Sequence, residues 1–321
     1  MLTADAVRSA LRHPLVETDF PSLGRRYQGK VRDNYVTSSG ERVLVVTDRI
    51  SAFDRVLGTL PLKGQLLNRV ACWWFERTRH VAPNHLVRVP DPNVMVALEC
   101  EPLPVEMVVR SYLTGTTSTS IWVHYSAGAR EFCGHRLPDG LRKHERLPRP
   151  LLTPSSKAAK GGHDVSMSRA EILASTGLSM QDFDAAADLA LALFAEGQRI
   201  CAERGLILVD TKYEFGRAPD GRILVIDEIH TPDSSRFWLA DAYDARFAAG
   251  QDPDSLDKEF VRRWLAERGF TGDGPVPELP DELRVEATLR YAASVERIMG
   301  EGFEPNLEEP IARLERNLGI A

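Results

Sequence analysis

The chain lacks any apolar run long enough to span a bilayer. Its opening residues, Met1-Leu2-Thr3-Ala4-Asp5-Ala6, show no basic stretch leading into an apolar one, so no signal peptide is expected. Cysteine is scarce and dispersed: Cys72, Cys100, Cys133 and Cys201 form no C-x-x-C pair. That spacing argues against a zinc site and a disulfide framework, and points to reduced thiols in a cytoplasmic setting. Cys72 and Cys201 fall in apolar helical patterns and are expected in the core. Basic charge is not in excess, with 40 Lys and Arg against 46 Asp and Glu for a net charge of -6. A general nucleic-acid binder is therefore not expected, although a local basic pocket for an anionic metabolite remains open. Walker and dinucleotide-binding loops are absent, as are internal repeats and low-complexity segments. What remains is an ordinary globular composition, 43% hydrophobic and 27% charged. Its 321 residues suit two domains, or one large domain with an extension.

Against that background, two short apolar runs that end in acid stand out. The first is Leu206-Ile-Leu-Val-Asp210-Thr-Lys212-Tyr-Glu214-Phe-Gly216, and the second is Ile223-Leu-Val-Ile-Asp227-Glu-Ile-His230. Ala218-Pro219-Asp220-Gly221 between them is turn chemistry, so the pair reads as a β-hairpin. Carboxylates at the ends of buried strands need a cation or hydrogen-bond donors. Glu214 and Asp227, facing each other across the turn, suit Mg²⁺, which one or two carboxylates commonly hold together with substrate phosphates. The continuation Thr231-Pro-Asp-Ser-Ser235-Arg236 adds hydroxyls and a guanidinium suited to a phosphate. Lys212 shares a strand face with Asp210 and Glu214, as a functional ammonium or as a structural ion pair.

Other segments carry weaker signals. Gln28-Gly29-Lys30-Val-Arg32-Asp33 reads as a glycine turn that lets backbone approach phosphates, or as a solvated basic hairpin tip. In Thr47-Asp48-Arg49-Ile-Ser-Ala-Phe-Asp54, an N-cap fits Asp48, while Asp54 is the better functional candidate. Arg110 follows a buried run and needs an anionic partner, and the hydroxyl-rich Ser111 to Ser120 leads into a helix start that favours anions. Thr153-Pro-Ser-Ser-Lys157 and Gly161-Gly-His163-Asp164 read as a lid with a lysine and a His-Asp tip.

A coarse reading places a strand at 42–47 and a helix at 65–79. Prolines 102 and 104 mark a hinge before a strand at 105–109. Residues 134–162 are expected as a long surface excursion. Ser168-Arg-Ala-Glu171 matches a capping box, and Ser179 caps a helix through Phe183, Ala187, Leu191, Phe194 and Ile200. From Asp254 the chain reads as mostly helical, through Met299.

Taken together, these motifs resemble the SAICAR synthetase family, in the same order from about Gln28 to Trp238. The resemblance implies an α+β fold. A small kinase-like antiparallel-sheet N-terminal domain (1–104) would precede a larger α+β domain (105–321), with ATP in the cleft and a helical extension from about residue 240. It implies an ATP-dependent ligase of purine biosynthesis that joins L-aspartate to the carboxylate of carboxyaminoimidazole ribonucleotide (CAIR). The implied products are the succinocarboxamide (SAICAR), ADP and phosphate. Carried over by position, Glu214 and Asp227 match Mg²⁺-associated acids, and Gly29, Lys30 and Arg32 match the loop over the ATP phosphates. Lys157 would reach a phosphate, and Glu106 would lie near the adenine. Arg110, Ser111, Thr116, Ser235 and Arg236 match positions around the ribonucleotide, while Asp54, His163, Asp164 and Lys212 fall near the reacting groups. Thr116 stands where some relatives carry Ser, which keeps the hydroxyl. Small-molecule partners follow, with no nucleic acid or membrane and a monomer or small homo-oligomer.

Two other functions compete. A small-molecule kinase would share the ATP and metal apparatus, but the His-Arg-Asp and Asp-Phe-Gly motifs of protein kinases do not occur. A non-catalytic nucleotide-binding protein would be expected to lose site residues, yet Lys30, Lys212, Glu214 and Asp227 are all present.

Overall fold

In the computed structural model, residues 2–53, 55–117, 119–157, 164–256 and 259–320 are described. After helix α1 (Ala4–Ala10), the first half builds a five-stranded antiparallel sheet. Its strands are β1 (Arg25–Gln28), β2 (Arg32–Val36), β3 (Glu41–Val46), β6 (Leu86–Asp91) and β7 (Val94–Leu98), in the order β1-β2-β3-β7-β6. A hairpin of β4 (Arg49–Ala52) and β5 (Arg55–Thr59) and helix α2 (Lys63–Arg77) interrupt it in sequence.

Strand β3 shows why the sheet is covered on both sides. Its period-two alternation sends Val43 and Val45 into one apolar cluster with Tyr35 and Leu314, and Leu44 and Val46 into the main core with α2. The start of α2 is held tightly. Asp48 is buried, and its two carboxylate oxygens accept from the amides of Leu15 and Gly64, each at 2.9 Å. Asp48 is therefore not the N-cap of a local turn; it lies between β3 and β4 and holds the first turn of α2 from outside, while the N-cap position itself, Leu62, makes no side-chain bond. Burial pushes its carboxyl up to about 6, against the lowering effect of the amides of Gly64 and Leu15. Gly64 is needed there, because a Cβ would sit 2.2 Å from the Val46 carbonyl oxygen.

The second half is built on a six-stranded antiparallel sheet. It comprises β8 (Glu101–Tyr112), β11 (Arg146–Leu152), β12 (Ser155–Ser156), β13 (Leu206–Arg217), β14 (Ile223–Ile226) and β15 (Ser235–Leu239). The expected hairpin is present, with Glu214 opposite Ile226. Helix α3 (Ile121–Ser126) and the short ribbon of β9 (Glu131–Phe132) and β10 (His135–Arg136) lie between β8 and β11. Helices α4 (Arg169–Thr176) and α5 (Met180–Glu203) begin at the expected capping box of Ser168 and cap of Ser179. Phe183, Phe194, Tyr213 and Phe215 are buried in one core, so α5 covers the apolar face of β13. The tail adds α6 (Ala240–Ala248), α7 (Glu259–Ala266), α8 (Asp281–Met299) and α9 (Pro310–Leu318).

Several expectations need correction. Pro102 and Pro104 do not break the chain; they lie inside β8, where a register shift opposite Glu214 and Gly216 absorbs the missing amides. The stretch 134–162 is not all excursion, since β11 runs through Pro148 and Pro150 and pairs with β8 on either side of a register shift. Leu191 lies on the exposed side of α5. Helix α9 continues the expected helical tail, and it returns to the first sheet. There buried Arg313 donates to Asp91 at 2.9 Å and to Asn93. Cys72 and Cys201 are buried as expected, and all four thiols are free.

Candidate functional site at the junction of two sheets

Alternation along β13 puts Tyr213 and Phe215 into the core, and Asp210, Lys212 and Glu214 on the opposite face. Register then brings Asp210 opposite Arg110, and Glu214 opposite Glu106, on β8. Lys212 Nζ donates to Glu106 Oε1 at 2.6 Å and to Glu214 Oε1 at 3.0 Å. Lys157 takes the second Glu214 oxygen at 2.6 Å. Burial alone would lower the Lys212 ammonium's pKa, but the Glu214 and Glu106 carboxylates override it and raise the group well above its ordinary range. This arrangement favours the ammonium form of Lys212. Glu214 is correspondingly held down to about 2, its burial outweighed by Lys212 and Lys157.

One end of this row is rich in acid. Arg32, on β2 of the first sheet, donates to Asp227 Oδ1 at 2.8 Å and to Glu228 Oε2 at 2.5 Å. Asp227 follows β14 in a left-handed conformation, φ 68°, which Asp tolerates better than most residues. Burial raises the Glu228 carboxyl despite Arg32. Thr231 Oγ1 donates to the Glu228 oxygen that Arg32 also contacts, at 3.0 Å. Arg32 thus ties the two sheets together at the candidate metal acid.

The other end is rich in base. Arg236 Nη1 lies 2.6 Å from Asp210 Oδ2, and Arg110 Nη1 lies 3.4 Å from the same oxygen. Arg110 Nε also donates to Thr153 Oγ1 at 2.9 Å. Two guanidiniums on one carboxylate leave a net positive charge. It borders a cavity of about 1080 Å³ whose lining includes Gly115, Thr116, Arg236 and Arg263, together with Lys143 paired to Asp252 at 2.9 Å. Such a pocket suits an anion.

The structure thus joins Lys212, Glu214, Glu106 and Lys157 in one cluster, Arg32 and Asp227 in a second, and Arg110 and Arg236 in a third, with Thr116 on the cavity wall beside Arg236. Ser235 is buried beside them, its hydroxyl 2.7 Å from that of Thr211. Gly29 and Lys30 form the turn between β1 and β2, whose carbonyls accept from Arg49 at 3.1 and 2.9 Å. Asp164 is exposed at the edge of the described chain, while Asp54 and His163 lie outside the described residues. Ser111 does not join the group: one position on from Arg110, it turns to the opposite face, where Gln198 of α5 donates to it at 3.1 Å. Glu106 lies within β8, which runs through the prolines.

The alternation in Val209-Asp-Thr-Lys-Tyr-Glu214 placed Asp210 beside Lys212 but gave it no role, and Glu228, Asp233 and Lys63 were passed over. A lysine inside the apolar run from Leu60 to Leu67 could have drawn attention to Lys63, which is fully buried against Asp233 at 2.7 Å. His230, in the same acidic motif, belongs to the core. Tyr213 Oη lies 2.5 Å from its Nε2, and burial lowers its pKa to about 3.

Fold and site together define an α+β protein with a polarised, anion-handling seam between two antiparallel sheets. The model of the SAICAR synthetase family matches residues 25–277. A relative from Mesorhizobium japonicum, provisionally given the family's enzyme name, is 50% identical over 306 residues, spanning 95% of this chain and 98% of its own. The phosphoribosylaminoimidazole-succinocarboxamide synthase of Legionella pneumophila is 49% identical over 290 residues, 90% of this chain and 92% of its own. The solved SAICAR synthase from Saccharomyces cerevisiae, complexed with SAICAR, superposes with a TM-score of 0.77 at 28% identity, covering 91% of this chain and 100% of that one. The chain belongs to the SAICAR synthetase family. No described helix is long and apolar enough to cross a membrane.

Proposed function

We propose that this chain is an ATP-dependent ligase that joins L-aspartate to the carboxylate of CAIR, forming SAICAR, ADP and phosphate. The observation that carries the reading is the inverted charge at the two ends of one strand face, acid at Asp227 and Glu228 and base at Arg110 and Arg236. A carboxylate is a poor acyl donor. Transfer of the γ-phosphoryl group to a carboxylate oxygen of CAIR makes phosphate the leaving group. The aspartate amine then attacks the carbonyl carbon, the C–O bond to phosphate breaks, and the amine loses a proton.

Within that scheme, Arg110, Thr116, Ser235 and Arg236 hold the ribonucleotide, and Asp210 orients both guanidiniums. Lys212, kept as an ammonium, stabilises charge that builds on the phosphoryl and acyl oxygens. Gly29, Lys30, Arg32 and Lys157 attend the ATP phosphates, and Asp54, His163 and Asp164 approach the reacting groups. Glu214 and Asp227 are the Mg²⁺ ligands. Among the described residues no cluster of three or more acids, histidines or cysteines could hold an ion by itself. Two carboxylates fit an ion that completes its shell with water and nucleotide phosphates. When bound, the ion neutralises phosphate charge during transfer. Residues 1–104 and 105–321 act as the two domains that clasp the nucleotide. Four free thiols support a reducing, cytoplasmic setting, and the protein works as a monomer or small homo-oligomer.

The test is ADP release from Mg-ATP and CAIR with and without L-aspartate. ADP that requires all three, with formation of the new amide, supports the ligase. ADP released without aspartate, together with a stable phosphorylated form of CAIR, would refute it in favour of a kinase.

A further inference from the structure

We propose that Lys63, Asp233 and Tyr291 form a positioning device through which the tail helix α8 sets the loop carrying Ser235 and Arg236. The proposal rests on the ribonucleotide reading of Arg236. Asp233 sits in the connection between β14 and β15, three residues before Arg236. Its carboxylate is received on both sides: Lys63 Nζ reaches Oδ2 at 2.7 Å, and the Tyr291 hydroxyl donates to Oδ1 at 2.7 Å. The lysine comes from the first turn of α2, and the tyrosine from α8. Three segments remote in sequence therefore meet on one carboxylate.

The loop transmits that constraint by short steps. Thr231 Oγ1 accepts from the amides of Asp233 and Ser234, each at 3.2 Å, and donates to Glu228 at 3.0 Å. The Ser235 amide donates to the Thr231 carbonyl at 2.9 Å, and the Lys212 amide donates to the Ser234 carbonyl at 3.1 Å. Moving Asp233 thus moves the backbone next to Ser235 and Arg236, and the backbone of the strand that bears Lys212. Lys63 is fully buried. A well-packed apolar trio would stabilise such a place as well as a charged one, because a buried ion pair costs its desolvation. What the charged trio adds is direction, since one carboxylate accepts from two donors of fixed origin.

Thr288, one turn earlier on α8, provides an internal control: it is also buried, and its hydroxyl donates at 3.1 Å to the Pro61 carbonyl and not to Asp233. Y291F and T288V each remove one buried hydroxyl from the same helix. Y291F is expected to raise the Michaelis constant for CAIR by about five- to tenfold, while T288V leaves it within about twofold. On an R236A background, Y291F should add little, because the group it positions is gone. Should Y291F fail to fold, D233N carries the same expectation. Equal constants in Y291F and T288V, or an undiminished Y291F effect on R236A, overturn the proposal. Wild-type protein that makes no SAICAR overturns the functional reading itself, and is told apart because it needs no variant.

Discussion

The two ends of the seam use the same ingredients in opposite ratio. At Arg32 one guanidinium serves two carboxylates, Asp227 and Glu228, whereas at Asp210 one carboxylate serves two guanidiniums, Arg110 and Arg236. Both sites are largely buried, and neither is neutral by itself. Buried charge left over after pairing is costly, so it is expected where a ligand of opposite sign completes it. The first site calls for a cation and the second for an anion. Between them, Glu106, Lys157, Lys212 and Glu214 pair two against two.

The acid end should give the largest effect. D227N keeps the shape and tolerates the left-handed backbone, yet removes charge from the proposed metal site, and kcat is expected to fall by about a hundredfold or more. Near-normal turnover at saturating Mg²⁺ would falsify the assignment. At the base end, R236A should leave kcat less affected and raise the Michaelis constant for CAIR by about ten- to a hundredfold. If R236A lowered kcat and left that constant alone, the two ends would not divide the work as proposed.

Smaller effects concern protons and stability. Glu214 is held near 2 against an ordinary value of 4.5, so it contributes stability that is present above pH 4.5 and lost as the pH falls toward 2. Denaturation of wild type and E214Q across that window should show a gap of about 1–3 kcal/mol that closes with acid. A gap independent of pH would contradict the ion-pair account. Asp48 has the opposite sign, because its folded value of about 6 lies above its ordinary 3.8. The folded state binds the extra proton between these values, so the Asp48 contribution declines as pH rises from about 4 to 6. D48N, which sets an amide donor against one of two backbone donors, should cost about 1–2 kcal/mol in chemical denaturation and leave the Michaelis constants alone.

Much of this was legible because strands impose a period of two. Once Val209 to Phe215 is read as a half-buried strand, Asp210, Lys212 and Glu214 must share a face. The hairpin with Asp227 follows from the turn residues between. Helix starts at Ser168 and Ser179 were legible for a similarly local reason, since a cap acts over three residues. The same alternation turns Ser111 to the face opposite Arg110, where Gln198 donates to it. The prolines of β8 and β11 misled because their tolerance depends on extra residues in those same strands where the pairing register shifts, which no local pattern announces.

By itself the sequence determined the acids and bases of the seam, the strand that carries three of them, and the resemblance to a ligase family. Those are local facts, written in spacing and residue type. Only the tertiary structure decided that Arg32 reaches across to Asp227 and Glu228, that Asp210 holds two arginines, and that the tail returns through Tyr291 and Arg313 to the front of the molecule. The separations explain the division. Arg32 and Asp227 are 195 residues apart, and Arg313 and Asp91 are 222 apart. Such partners are chosen by how two sheets and the helices around them pack, which hydrophobic burial across the whole chain decides.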